Sequence, residues 1–229
     1  MQKIIITDRE HLLKEIEKAM ASGGINVDLN HFDTSTVTDM SGIFMQSSFN
    51  GSIEQWDVSN VENMRSMFYN AASFNQPLNN WNVSSVTNMK FTFSGAMSFN
   101  QDINQWDVSN VDDMSSMFLV AVRFNQPLNR WNTHKVKSMA GMFHGAESFN
   151  QNINTWYVSG VENINSMFLQ AINFKTPLLN WNVTTQICYN FIKKEETFLD
   201  RRAIWERELL LSQHNTSHSQ PLSTLPKIL

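Results

Sequence analysis

Tryptophan stands at positions 56, 81, 106, 131, 156 and 181, one every 25 residues across six successive units. A fixed period of roughly 20 to 50 residues marks an array in which each unit buries its apolar edge only against its neighbours. Other columns keep the same step. Phe49, Phe74, Phe99, Phe124, Phe149 and Phe174 form one, and Phe68, Phe93, Phe118, Phe143 and Phe168 another. Leu29, Ile53, Leu78, Ile103, Leu128, Ile153 and Leu178 form a third, whose first step is one residue shorter. Trp56, Trp81, Trp106, Trp131, Trp156 and Trp181 are therefore structural: each coil needs the same packing. Burying one Trp removes about 150–250 Å² from water, at most about 4–6 kcal/mol per coil.

Within one unit, Phe99 to Phe124, the apolar spacing changes along the chain. Trp106, Val108 and Val111 suit a short strand, whereas Met114, Met117, Phe118 and Ala121 follow the i, i+3, i+4, i+7 rule of a helix. The expected fold class is a repeat solenoid, leucine-rich-repeat-like, with a short strand and a short helical turn in each 25-residue coil and helical caps at both ends. The residue before the first Met of each turn is Asp39, Asn63, Asn88, Asp113, Ser138 or Asn163. All have a side-chain oxygen suited to an N-cap.

Asn50, Asn75, Asn100, Asn125 and Asn150 follow the first Phe column. A repeated Asn can satisfy backbone groups at a turn and bond to the equivalent turn of the next coil, so this column reads as a structural ladder. Pro77, Pro127 and Pro177 mark the loop that follows. Ala71, Ala96, Ala121, Ala146 and Ala171 allow close stacking.

Charged residues are only 17% of the chain, and the net charge is −4. Such a surface does not favour nucleic acid, whose binding proteins carry a basic face. Cys188 is the only cysteine, so no intramolecular disulfide or cysteine-based zinc site forms. No apolar run approaches the length of a membrane span or a signal h-region. On that basis, no membrane insertion and a cytoplasmic location are expected.

The wording F-N-Q-x-[IL]-x-x-W-[DN]-V-S-x-V-x-[ND]-M-x-x-M-F, carried by Phe74 to Phe93 and Phe99 to Phe118, resembles the 25-residue repeat of BspA-type leucine-rich-repeat surface proteins. The likeness covers roughly residues 25 to 185. It implies a leucine-rich-repeat-like solenoid and, in many members, a bacterial surface protein or adhesin, which leaves a surface or secreted location open. It transfers no catalytic residues.

Both ends read as caps. Residues 1–24 form an N-terminal strand and helix. Thr7-Asp8-Arg9-Glu10 is a capping box, Leu12, Leu13, Ile16, Ala19 and Met20 form one face, and Gly23 and Gly24 end the helix. Ile25, Val27 and Leu29 then alternate into a first strand. The solenoid occupies 25–192 in about seven coils, a C-terminal capping helix 193–213, and a disordered tail 214–229.

No phosphate loop, nucleophile elbow or zinc signature is present, and the histidines recur in no column. No enzyme, metal or cofactor is expected. The fourth full unit alone breaks the neutral pattern, with Arg123, Arg130, His134, Lys135 and Lys137. Lys137 shares a coil position with Asp112 and Glu162, which predicts a charge ladder on both sides of it. Arg123, Arg130, His134 and Lys135 are the candidate partner-binding residues; the variable positions Tyr69, Leu119, Val120, Leu169 and Tyr157 are expected to expose apolar groups of the kind that marks protein contacts. The expected function is a non-catalytic protein–protein interaction solenoid of bacterial type, acting as a scaffold, inhibitor or immunity-like module toward another protein. The alternative is a surface or secreted adhesin binding host protein or glycan.

Overall fold

Successive repeats are joined by main-chain hydrogen bonds at alternate residues. From one repeat to the next, Met64 N–H donates to Asn88 O at 3.0 Å, Ser66 to Lys90 at 2.9 Å, Phe68 to Thr92 at 2.8 Å and Asn70 to Ser94 at 2.7 Å. The computed structural model describes residues 3–178 and 180–181, and this pattern recurs at 25-residue intervals through them, as in Met114 to Ser138 and Phe143 to Met167. The amides in between close turns within the repeat: Met67 N–H reaches Met64 O, Tyr69 reaches Ser66 and Ala71 reaches Phe68. Each repeat is thus a staircase of tight turns.

The expected helical turn is absent from the described repeats; among the described residues the one helix is the N-terminal one. The Met-x-x-Met-Phe spacing buries the predicted side chains, but the alternate amides bond to the neighbouring repeat instead of to residue i−4. Two positions per repeat also carry positive φ, which no helix accepts. One column contains Gly42, Ser66, Phe91, Ser116, Gly141 and Ser166, the other Gln46, Asn70, Gly95, Val120, Gly145 and Gln170. The expected strand around Trp–Val–Val is also not formed. Between the described repeats, parallel pairing takes the form of single bridges at Asp39, Asn63, Asn88, Asp113, Ser138 and Asn163.

That column was assigned as helix N-caps. Its side chains do accept a backbone N–H, but for a turn: Asn63 Oδ1 takes Arg65 N–H at 3.1 Å, and Asp113 Oδ1 takes Ser115 N–H at 2.8 Å. Ser138 instead meets Ser115, with the two hydroxyl oxygens 2.7 Å apart.

The core is a set of stacked aromatic columns. Phe44, Phe68, Phe93, Phe118, Phe143 and Phe168 follow one another with centroids 5.3–5.7 Å apart. Each also lies against the other Phe column of its repeat, at 4.1 Å for Phe68 and Phe74 and 3.9 Å for Phe143 and Phe149. Every column tryptophan is buried and gives its indole N–H to a carbonyl of the preceding repeat. Trp81 bonds Ile53 O at 3.1 Å, Trp106 bonds Leu78 O at 2.9 Å and Trp156 bonds Leu128 O at 2.8 Å. Apolar packing and a satisfied polar handle therefore coincide in one residue.

At the N-terminal end, β1 (Ile4–Ile5) pairs in parallel with β2 (Phe32–Asp33), Ile4 opposite Phe32. The first strand after the helix is therefore Phe32–Asp33, seven residues beyond the predicted Ile25 start, because Leu29 N–H bonds across to Ser52 O. Helix α1 (Arg9–Gly23) has Asp8 as its N-cap, and Asp8 Oδ1 accepts His11 N–H at 2.9 Å. The predicted capping box is thus shifted by one residue, with His11 Nδ1 facing Thr7 N–H in place of Glu10. Gly24, at φ 76°, ends the helix and donates to Met20 O.

Leu12 and Ile16 of α1 are buried in the common core. Arg9 Nε donates to Ser41 O at 2.6 Å, a carbonyl whose equivalents, Arg65 O and Lys90 O, accept an amide from the preceding repeat. The helix thus satisfies the open end of the first repeat. The predicted C-terminal cap 193–213 and tail 214–229 lie outside the described residues.

Two outcomes check this architecture by denaturant unfolding. Trp106→Phe removes one donor and part of a ring, and should lower stability by about 1–3 kcal/mol. At the second positive-φ column, Gly95→Ala should destabilise by at least about 1 kcal/mol, since φ is +70° and a Cβ there would overlap Asn70 Oδ1. Val120→Gly, at φ 56°, should be neutral or stabilising; equal responses at the two sites would contradict the turn assignment.

Candidate functional site

The repeated polar columns are engaged within the stack. Asn75, Asn100, Asn125 and Asn150 each give their backbone N–H to the Oδ1 of the preceding Asn, at 2.9–3.0 Å. Gln76, Gln101 and Gln151 reinforce the same junctions from Nε2. Where Lys175 and Thr176 replace Asn and Gln, Asn150 Oδ1 accepts both of their backbone N–H groups. No buried side-chain nitrogen or oxygen among the described residues lacks a partner.

A second polar column follows each tryptophan and builds the turn that carries the variable residues. Asp57 Oδ1 accepts Ser59 N–H at 3.0 Å and Ser59 Oγ–H at 2.6 Å; Asp33 and Asn82 do the same with Ser35 and Ser84. In the fourth full repeat Asn132 plays this part for His134. It accepts His134 N–H at 3.2 Å, and His134 Nδ1 lies 2.7 Å from the same oxygen, so that nitrogen carries the proton.

Arg130, His134 and Lys135 are all exposed, on two successive turns flanking Trp131. Arg130 Nη1 donates to Gln105 Oε1 at 2.7 Å, and Lys135 Nζ donates to Asn110 Oδ1 at 2.6 Å, both in the preceding repeat. The His134 ring stacks on Tyr157 of the following repeat, with centroids 4.4 Å apart and planes 4° from parallel. These contacts hold the cationic heads through neutral amides and leave their charge unmatched. Arg123 is exposed on a separate turn and joins none of these contacts.

Lys137 differs from its expected place in a two-sided ladder. Nζ lies 3.7 Å from Glu162 Oε1, whereas its link to Asp112 is through the backbone, Lys137 N–H to Asp112 O at 2.8 Å. A long side chain can lean toward only one neighbour at a time. As an exposed pair it contributes at most about 1 kcal/mol.

Tyr157, one of the variable apolar positions, belongs to this site, and so do Gly160 and Thr133, which the sequence did not single out. Tyr157 occupies the column of Asp57, Asn82, Asp107 and Asn132, and Gly160 that of Asn60, Ser85, Asn110 and Lys135. Aligning the columns would have exposed both departures; the contact between them is visible only in three dimensions. Among the described residues no group of three His, Cys, Asp or Glu side chains could hold a metal ion, and no helix is long and apolar enough to cross a membrane.

The Asp turns set a pH response. Hydrogen bonds from the Ser59 hydroxyl and amide hold Asp57 below the ordinary carboxylate value, against partial desolvation and the nearby Asp33 charge; Asp33 is lowered in the same way by Ser35. A carboxylate depressed in the folded state contributes stability above its unfolded pKa and loses it as pH falls through the folded value. Stability should therefore decline on acidification below about pH 4. Asp33→Asn/Asp57→Asn, which keeps the Oδ1 acceptor as Asn82 does, should flatten that decline in urea titrations; an unchanged slope would remove these turns as its source.

The sequence matches a family described as "Mycoplasma protein of unknown function, DUF285" twice, over residues 13–121 and 100–203. Neither the curated proteins nor the solved structures offered a match. The two matched stretches overlap and together run from within the N-terminal helix through the whole described stack, so the chain belongs to this DUF285 family.

Proposed function

We propose that the chain is a leucine-rich-repeat-like solenoid of the BspA type that works without catalysis, by binding another protein. The observation that carries this reading is the division of its polar groups. The repeated amides are engaged in joining one repeat to the next, while Arg130 and Lys135 are held in place by neutral amides, without a carboxylate partner among the described residues. A fixed, unneutralised charge on a rigid surface favours recognition, since little side-chain freedom is lost on binding. Scaffold, inhibitor and immunity-like roles all use such a surface, and the surface-adhesin role associated with BspA-type proteins would use it outside the cell.

The test is cross-linking and capture of the full chain in its native cells, with the same cells fractionated to locate it. Arg130→Glu/Lys135→Glu should lose most of the captured partner, with an unfolding temperature within about 2 °C of the parent, as expected for exposed substitutions. Retention of the same partner by the variant would move the interface elsewhere. Recovery in the surface or medium fraction would favour the adhesin role over the intracellular one.

A further inference from the structure

A repeated chain supplies its own controls, because equivalent positions in the other repeats show what packing alone requires. After the tryptophan, that requirement is Asp or Asn, then Val, then Ser, then Asn or Ser, as in Asp57-Val58-Ser59-Asn60 and Asn82-Val83-Ser84-Ser85. The fourth full repeat reads Asn132-Thr133-His134-Lys135 and the next Tyr157-Val158-Ser159-Gly160. Four departures, His134, Lys135, Tyr157 and Gly160, thus fall in two adjacent repeats, and two of them lie against Tyr157. His134 stacks on Tyr157. Thr133 is buried like Thr34 of the first repeat and makes the same bond to the next repeat: its hydroxyl donates to Tyr157 O at 2.9 Å, as that of Thr34 does to Asp57 O at 2.8 Å. Gly160 lies against the ring: a Cβ there would stand in ordinary contact, 3.4 Å from Tyr157 Cε1. Tyr157 remains 41% exposed, and the neighbouring Lys135 ammonium is held by Asn110 of the preceding repeat.

We infer that this patch docks a short acidic segment of a partner protein, with carboxylates on Arg130 and Lys135 and an apolar or aromatic side chain on Tyr157; the inference rests on the protein-binding reading above. Four cations and no carboxylate lie between Arg123 and Lys137, and Lys137 is already matched by Glu162. Arg130 and Lys135 each donate to one neutral amide oxygen, which leaves further N–H donors on both for a carboxylate. Tyrosine supplies a rigid contact surface of the kind that anchors protein interfaces.

The preceding repeat decides between a short acidic peptide and a long polyanion. It exposes Asp102, Asp107 and Asp112, which would repel a nucleic acid or sulfated glycan running across the stack. A segment with two or three carboxylates can stay over the cations and avoid them.

A random 12-residue peptide library displayed on phage and selected on the immobilised full chain tests this. Enriched peptides should carry at least two Asp or Glu residues and an aromatic residue. A synthetic copy should bind at least about tenfold more weakly to Arg130→Gln/Lys135→Gln and to Tyr157→Asn, the latter restoring the residue type of the other repeats, at unchanged unfolding temperature. Failure to enrich, enrichment of non-acidic peptides, or equal binding by the variants would overturn the assignment. So would heparin capture that the same variants lose. A native partner captured independently of these residues would sink this patch and leave the protein-binding reading standing.

Discussion

Everything in this stack depends on the main-chain hydrogen bond from each even step of one repeat to the next. Because Met64, Ser66, Phe68 and Asn70 all donate across the same junction, each repeat is fixed in register with its successor. Equivalent side chains must then lie on one another, and only residues that pack against copies of themselves can fill the interior. Flat rings meet that requirement by offset stacking, and the indole adds a donor that reaches a carbonyl one repeat back. The asparagine ladder is the polar counterpart: a side-chain oxygen takes an amide of the next repeat.

The same constraint governs the first end. A repeat with no predecessor presents carbonyls that its successors have satisfied. Arg9 fills one of them at Ser41, and Asp33 O receives Ile6 N–H beside the short parallel pairing of β1 and β2. Helix α1 therefore does two things with one face: it buries Leu12 and Ile16 against the first repeat and brings the guanidinium over an open main-chain edge. Hydrophobic cover alone would have left that carbonyl to water.

The columns were legible in the sequence because repetition turns each position into a set of parallel observations. Trp, Phe, Ala and Asn positions identified from spacing alone are the ones that stack, pack or bond across the junctions. The local backbone was not legible. Met114, Met117, Phe118 and Ala121 fit a helix by periodicity, and a staircase of turns with inward side chains at the same steps gives the same pattern. What separates the two is the sign of φ at Ser116 and Val120, and neither residue type announces it; Gly95 and Gly145 in one column and Gly42 and Gly141 in the other were the available hint. At the candidate site, Arg130, His134 and Lys135 stood out by charge. Tyr157 stood out as a variable position with an apolar group, but its pairing with His134 did not, and Gly160 did not stand out at all, since that significance lies in contacts between repeats.

A stack built this way separates stability from specificity along each repeat. Inward positions and the Asn column are constrained on both sides by identical neighbours, so a change there disturbs two junctions at once. Turn positions such as 130, 134 and 135 face solvent and reach the neighbouring repeat with their side chains, Arg130 adding its main-chain N–H to Asn104 Oδ1. They can change identity without disturbing the main-chain ladder, and that freedom has been used where Lys135 reaches Asn110 and His134 covers Tyr157. The amide-rich surface of the other repeats then becomes functional in a second sense: Gln105 and Asn110 orient the cations without cancelling their charge, which a carboxylate in either place would have done. On the protein-binding proposal, recognition resides in the repeats that depart from the pattern, and the repeats that keep it hold those departures in position.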